Sequence, residues 1–251
     1  MKERYKALWA ILTFVILQGF GGVVLALLFP ALPPVAMGLT VIITGLLSVG
    51  IIYWMGCIDK HSVWDVHRIH WRMVPLAIAG AFSGIFASDF LCELLNLPDL
   101  MSDQFQGMVQ SFWGILSMAI VAPVVEELVF REAVLGHLLR KGVQPWAAII
   151  SSALAFGVVH GNPVQIPFAT IVGVLLAIIY YKTGNIVVPV IVHILNNSMA
   201  VVEMNLLGDQ AETFRYADIW GSTGTLIATV LCTAVCIFLM RMFWKRYPAK
   251  R

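Results

Sequence analysis

Apolar residues run through this chain in eight blocks separated by short polar punctuation. The blocks cover roughly 8–29, 35–56, 74–96, 111–139, 145–160, 165–182, 186–207 and 219–243. A helix that crosses a hydrocarbon core needs about 20 mainly apolar residues, and most of the blocks supply that. Proline and glycine mark most of the breaks: "PALPP" after the first block, "RKGVQP" after the fourth, then "GNPVQIP" and "KTGN". The pattern predicts an all-α polytopic membrane protein with eight transmembrane helices. Residues 1–251 read as a single membrane domain, because no polar stretch is long enough for a soluble one.

Composition sharpens this picture. Only 12% of the residues are charged, and the mean hydropathy is +0.87, against about 25% charged residues in a soluble domain. A net charge of +2 gives no reason to expect nucleic acid as a partner. Cys57, Cys92, Cys232 and Cys236 make neither a disulfide framework nor a metal pattern. The first apolar block is too long for a cleaved signal segment and reads as a first helix.

Basic residues orient the bundle. With the N terminus in the cytoplasm, 14 of the 16 Lys and Arg fall in cytoplasmic segments. Arg215 is external and Arg131 lies inside the fourth span. This asymmetry predicts eight crossings with both termini cytoplasmic. In the third span, Gly80 and Gly84 form a small-xxx-small spacing suited to close helix packing. Asp89 reads there as a structural hydrogen-bond partner and Glu93 as a solvated interfacial residue. Trp and basic residues in "CIDKHSVWDVHRIHWR" read as an interfacial anchor.

Charged groups at membrane depth are costly and point to function. The fourth span carries Glu126, Glu127 and Arg131, the fifth ends at His160, and the seventh carries His193, Asn196 and Asn197. Glu127 and Arg131 are four residues apart, hence neighbours on one helix face and natural ion-pair partners. Glu126 points about 100° away and is left without a local counter-charge, which suits a general base. His193 and Asn197 share a face and offer a pair of donors for a developing oxyanion.

Three spacings in order are specific: EExxxR at Glu126, Glu127 and Arg131; FxxxH at Phe156 and His160; HxxxN at His193 and Asn197. Together they resemble the CPBP intramembrane glutamic endopeptidases, the CAAX protease and bacteriocin-processing (Abi) family, relatives of the Ras-converting CAAX endopeptidase. The resemblance covers the fourth to seventh spans, about 111–200. It implies a metal-independent glutamate-type endopeptidase with no cofactor, cleaving a peptide or membrane-protein substrate in the bilayer. It implies that Glu126 and His160 activate water, that His193 and Asn197 form the oxyanion hole, and that Glu127, Arg131 and Phe156 support them. The chain's size and short loops suggest a prokaryotic plasma membrane.

Three rival readings remain. A zinc-dependent membrane peptidase would use Glu126, His160 and His193 as ligands, although no HExxH is present. A proton-coupled carrier would use the same Glu and His as a relay, although carriers are commonly built from repeats and none is evident. A non-catalytic scaffold or bacteriocin immunity factor would need none of the chemistry. For His160 to meet Glu126, the "GNPVQIP" loop is expected to dip into the bundle.

Overall fold

The computed structural model describes residues 5–28, 34–59, 65–210 and 214–247. Most of the "PALPP" break, residues 60–64 of the Trp-rich loop, and the basic residues Lys2, Arg4, Lys60, Lys250 and Arg251 lie outside the described residues. The described residues are helical apart from turns and loops. In chain order the helices are α1 (Lys6–Leu28), α2 (Pro34–Trp54), α3 (Val74–Leu95), the short α4 (Ser102–Val109), a composite α5 (Phe112–Arg140), α6 (Pro145–Val158), α7 (Gln165–Thr183), α8 (Val187–Leu207) and α9 (Tyr216–Arg246).

Seven of these helices are long and apolar enough to span a membrane. The exceptions are the 8-residue α4 and α6, which has 14 residues. At about 1.5 Å per residue it falls short of a hydrocarbon core about 30 Å thick. The chain punctuates it at both ends: Pro145 starts it, capped by the Gln144 side chain accepting from the Ala147 amide, and Gly161 in the left-handed region (φ 65) closes the turn after it. The "GNPVQIP" segment is shorter as a loop than expected, because Gln165, Ile166 and Pro167 already belong to α7.

The connections sort to two ends of the bundle. At one end, Lys6 Nζ donates to the Gly56 carbonyl, Arg140 Nη2 to the Cys57 carbonyl and Asn185 Nδ2 to the Asp65 carbonyl. At the other, Arg215 Nη2 donates to Asn96 Oδ1 and Gln106 Nε2 to the Gly208 carbonyl. Glu93 sits at this second end, where its carboxylate accepts from the Tyr216 and Ala217 amides at the start of α9. It is therefore a helix cap and not merely a solvated residue, because the first amides of α9 have no carbonyl partner of their own. The loop after α6 is fastened to this end too: Asn162, fully buried, donates from Nδ2 to Asp99 Oδ1 (2.8 Å) and accepts from the Leu100 amide (3.0 Å).

Close helix approach depends on missing side chains. A Cβ on Gly80 would come within 3.0 Å of Met240 Sδ, and one on Gly84 within 2.7 Å of Leu175 and 2.8 Å of Cys236, so this face meets both α7 and α9. The small-xxx-small reading of α3 has that physical content. Gly157 is tighter: its Cβ would overlap Thr170 Oγ1 and lie 2.8 Å from the Ile166 carbonyl of α7. Because the obstacle includes backbone, α6 and α7 must separate to admit a side chain. Gly157→Val is expected to cost about 1–3 kcal/mol and to lower the melting temperature in detergent; an unchanged melting curve would contradict this packing.

Candidate active site

The composite helix α5 carries the charged residues, and it is not a uniform α-helix. Ser117–Val121 and Leu128–Gly136 are π-helical, with the α-helical Ala122–Glu127 between them. Pro123 contributes to this. Its ring lacks an N–H and clashes with the carbonyl four residues earlier, at Ala119, inside the first π segment. Such π-bulges widen a helix locally and recur at functional sites. Glu126 and Glu127 thus lie at the end of a short α-helical stretch bracketed by two irregular ones.

Glu127 is completely buried and held on both oxygens. Oε2 lies 3.0 Å from Arg131 Nε, also completely buried. The Nε–H does not point along that line, so the contact is an ion pair and not a hydrogen bond. Oε1 lies 2.9 Å from His193 Nδ1. A carboxylate only accepts, so His193 carries a proton on Nδ1 and turns Nε2 toward Glu126, whose Oε2 is 3.6 Å away. Glu126 is 17% exposed in its side chain. His193 therefore bridges the two glutamates, an arrangement that sequence spacing does not reveal because the partners are 66 residues apart.

Phe156 organises the rest. Its ring, 1% exposed, lies beneath the Arg131 guanidinium at 4.5 Å. Edge contacts join it to His160 at 4.9 Å, His193 at 5.7 Å and Phe130 at 5.3 Å. A cation over an aromatic face is stabilised by the ring quadrupole, the more so where water is excluded. Phe156, expected in a supporting role, is the shared floor of Arg131 and both histidines. His160 Nδ1 lies 2.7 Å from the Phe156 carbonyl, one turn back. A carbonyl only accepts, so Nδ1 holds the proton and Nε2 is free to take part in other contacts.

His160 forms no ion pair with Glu126; among the described residues the imidazole at that distance is His193. Asn197 donates from Nδ2 to the Met118 carbonyl of the first π segment (3.0 Å) and accepts from Asn196 Nδ2 (3.1 Å). The structure thus gathers Arg131, His160 and His193 around the Phe156 ring, with Glu126 and Glu127 joined to them through His193. Asn197, one turn beyond His193, is tied to the wall of α5. No three His, Cys, Asp or Glu side chains among the described residues form a metal-ligand group.

A fourth charge in α5 escaped the sequence reading. Glu132, 1% exposed, accepts from Arg140 Nη1 (2.8 Å), the Asp59 amide (3.1 Å) and the Tyr180 hydroxyl. Its signal was a carboxylate in the same apolar run with Arg140 eight residues on, two turns along one side of the helix. Asp89 departs from expectation as well. It faces a cavity of about 500 Å³ together with Glu203, and it makes no hydrogen bond among the described residues.

Residues 108–199 match the family model described as type II CAAX prenyl endopeptidase Rce1-like. The chain is 34% identical over 88 residues to the putative membrane peptidase YdiL of Bacillus subtilis, covering 35% of this chain and 36% of that protein. It is 34% identical over 102 residues to the membrane-embedded CAAX protease MroQ of Staphylococcus aureus, covering 39% and 41% respectively. The match therefore spans well under half the length of these curated relatives. No solved structure matches. The matched stretch holds every residue of the three motifs, and through it this integral membrane chain is a homologue of the CAAX/CPBP-family intramembrane proteases.

Proposed function

We propose that the protein is an intramembrane endopeptidase that hydrolyses a peptide bond with water and without a metal, with Glu126 as its base. The observation that carries this reading is the contrast within one helix. Glu127 is sealed between Arg131 and His193, whereas the adjacent Glu126 is partly open and, among the described residues, forms no ion pair with a cation of its own helix.

In the proposed cycle Glu126 takes a proton from water as its oxygen attacks the substrate carbonyl carbon. His160 helps to hold that water through Nε2. Since Glu126 and His160 are not paired with each other, both keep acceptor capacity for it. The tetrahedral oxyanion is met by Asn197, through its remaining N–H, and by His193 Nε2. That nitrogen donates when it carries a proton, and Glu127, accepting from Nδ1, fixes the ring so that Nε2 faces the site. As the oxyanion collapses the C–N bond breaks, and the proton taken from water leaves with the amine.

The substrate class that fits is a peptide or membrane-protein segment able to enter a bundle in the bilayer. We place the protein in a prokaryotic plasma membrane with eight crossings, α6 counting as a short one, and both termini in the cytoplasm. The alternation of connections between the two bundle ends and the bias of Lys and Arg support this arrangement. The test of the function is purified protein against a library of transmembrane and juxtamembrane peptides, with and without a strong chelator. Cleavage is expected to persist with the chelator present. Loss of cleavage on chelation and its return with zinc would instead favour Glu126, His160 and His193 as metal ligands.

A further inference from the structure

The end of the bundle where α9 finishes holds a second cavity, of about 590 Å³, lined by Ile69, His70, Trp71, Arg72, Met73 and Arg246. We propose that it binds the phosphate of an anionic phospholipid. The proposal is independent of the proteolytic reading.

Position is the first argument. The span containing α3 begins at Trp71 and α9 ends at Arg246, so the cavity lies where apolar helix gives way to polar chain, at the level of lipid headgroups. Trp71 is 51% exposed there, as expected of an aromatic residue seated in the interface.

Charge is the second. Arg72 and Arg246 reach the cavity from different elements, both are exposed, and neither has an ion-pair partner among the described residues. Among the described residues no carboxylate lines the cavity. Guanidinium groups present planar, forked donors that match phosphate oxygens. Ile69 and Met73 supply an apolar surface for the glycerol and upper acyl region. A free inorganic anion would have no use for that surface.

Preorganisation is the third. The two walls are joined by Tyr247, itself 1% exposed. Its hydroxyl accepts from the His70 amide (3.1 Å), and its ring meets the His70 ring edge-on at 5.1 Å. Trp71–Met73 forms a 3-10 turn starting from this anchored residue. Arg72 and Arg246 thus project from walls fixed to one another, unlike basic side chains scattered along an interface. Basic pockets between transmembrane helices take acidic lipid headgroups by this combination of charge and enclosure.

The test is native mass spectrometry of the full chain in micelles, titrated separately with phosphatidylglycerol, phosphatidylcholine and inorganic phosphate. Wild type is expected to retain one phosphatidylglycerol in preference to phosphatidylcholine. The R72Q/R246Q variant is expected to bind it about tenfold more weakly. K245Q removes a neighbouring exposed charge that does not line the cavity and is expected to bind as wild type does. An equal loss in K245Q, or no preference between the two lipids, would overturn the proposal. Displacement of the lipid by inorganic phosphate at equal concentration would overturn it in favour of a free-anion site. The single variants R72Q and R246Q, each expected to lose part of the affinity, keep the test valid if the double variant is poorly folded.

Discussion

Glu126→Gln is expected to abolish proteolysis without disturbing the fold. The substitution keeps the shape of the side chain and removes its ability to take a proton. A positioned general base contributes about 10²–10⁴ in rate, and the loss should fall in that range or beyond. Stability should hardly move, because Glu126 is partly open and its contact with His193 is long, at 3.6 Å. The measurement is the pair of values together: cleavage of a reporter substrate in micelles, and the melting curve of the same preparation. Retained cleavage would remove Glu126 as the base. A variant that loses cleavage yet keeps the full biological effect would support a non-catalytic scaffold role. His160→Ala serves as the companion variant, since it removes the Nε2 proposed to hold the water while the ring's contacts with Phe156 are the ones lost from the packing.

The part of this site that could be read from the chain is the part that local geometry controls. Glu127 and Arg131 lie one turn apart, so their ion pair follows from helix periodicity, and the structure has it at 3.0 Å. The helix positions follow for the same reason, since apolar length is written directly in the residues; the block 145–160 is helical to Val158 and is the shortest of the eight. What depends on distant partners could not be read this way. The bridge from His193 to Glu127 joins α8 to α5, and no spacing rule connects them. The π segments of α5 arise from the strain around Pro123 and from tertiary packing, and a pattern of apolar residues looks the same in α and π form. Glu132 lies in the same apolar run as the more conspicuous pair, with no oppositely charged residue one turn away to mark it. Its partners Tyr180 and Asp59 come from elsewhere in the chain, and they explain how a buried carboxylate is tolerated there.

Glu127→Ala is expected to be the most destabilising substitution at the site. It leaves the Arg131 guanidinium fully buried, with the Phe156 ring and the more distant charge of Glu126 as remaining attractions, and it deprives His193 Nδ1 of its acceptor. Removing one member of a buried ion pair costs about 3–5 kcal/mol, because the surviving charge has neither water nor a partner. Replacing both members by apolar residues of similar volume avoids that penalty. Glu127→Leu with Arg131→Met should therefore recover most of the lost stability while remaining inactive, since His193 is still unsupported. The full cycle of both single variants and the double, measured by thermal unfolding in one detergent, yields the coupling between the two positions. A large favourable coupling fits a clamp within α5 that holds Glu127 in place and leaves Glu126 as the group that reacts. If Glu127→Ala melted like wild type, the pair would not be holding the helix, and the division of labour between the adjacent glutamates would fail with it.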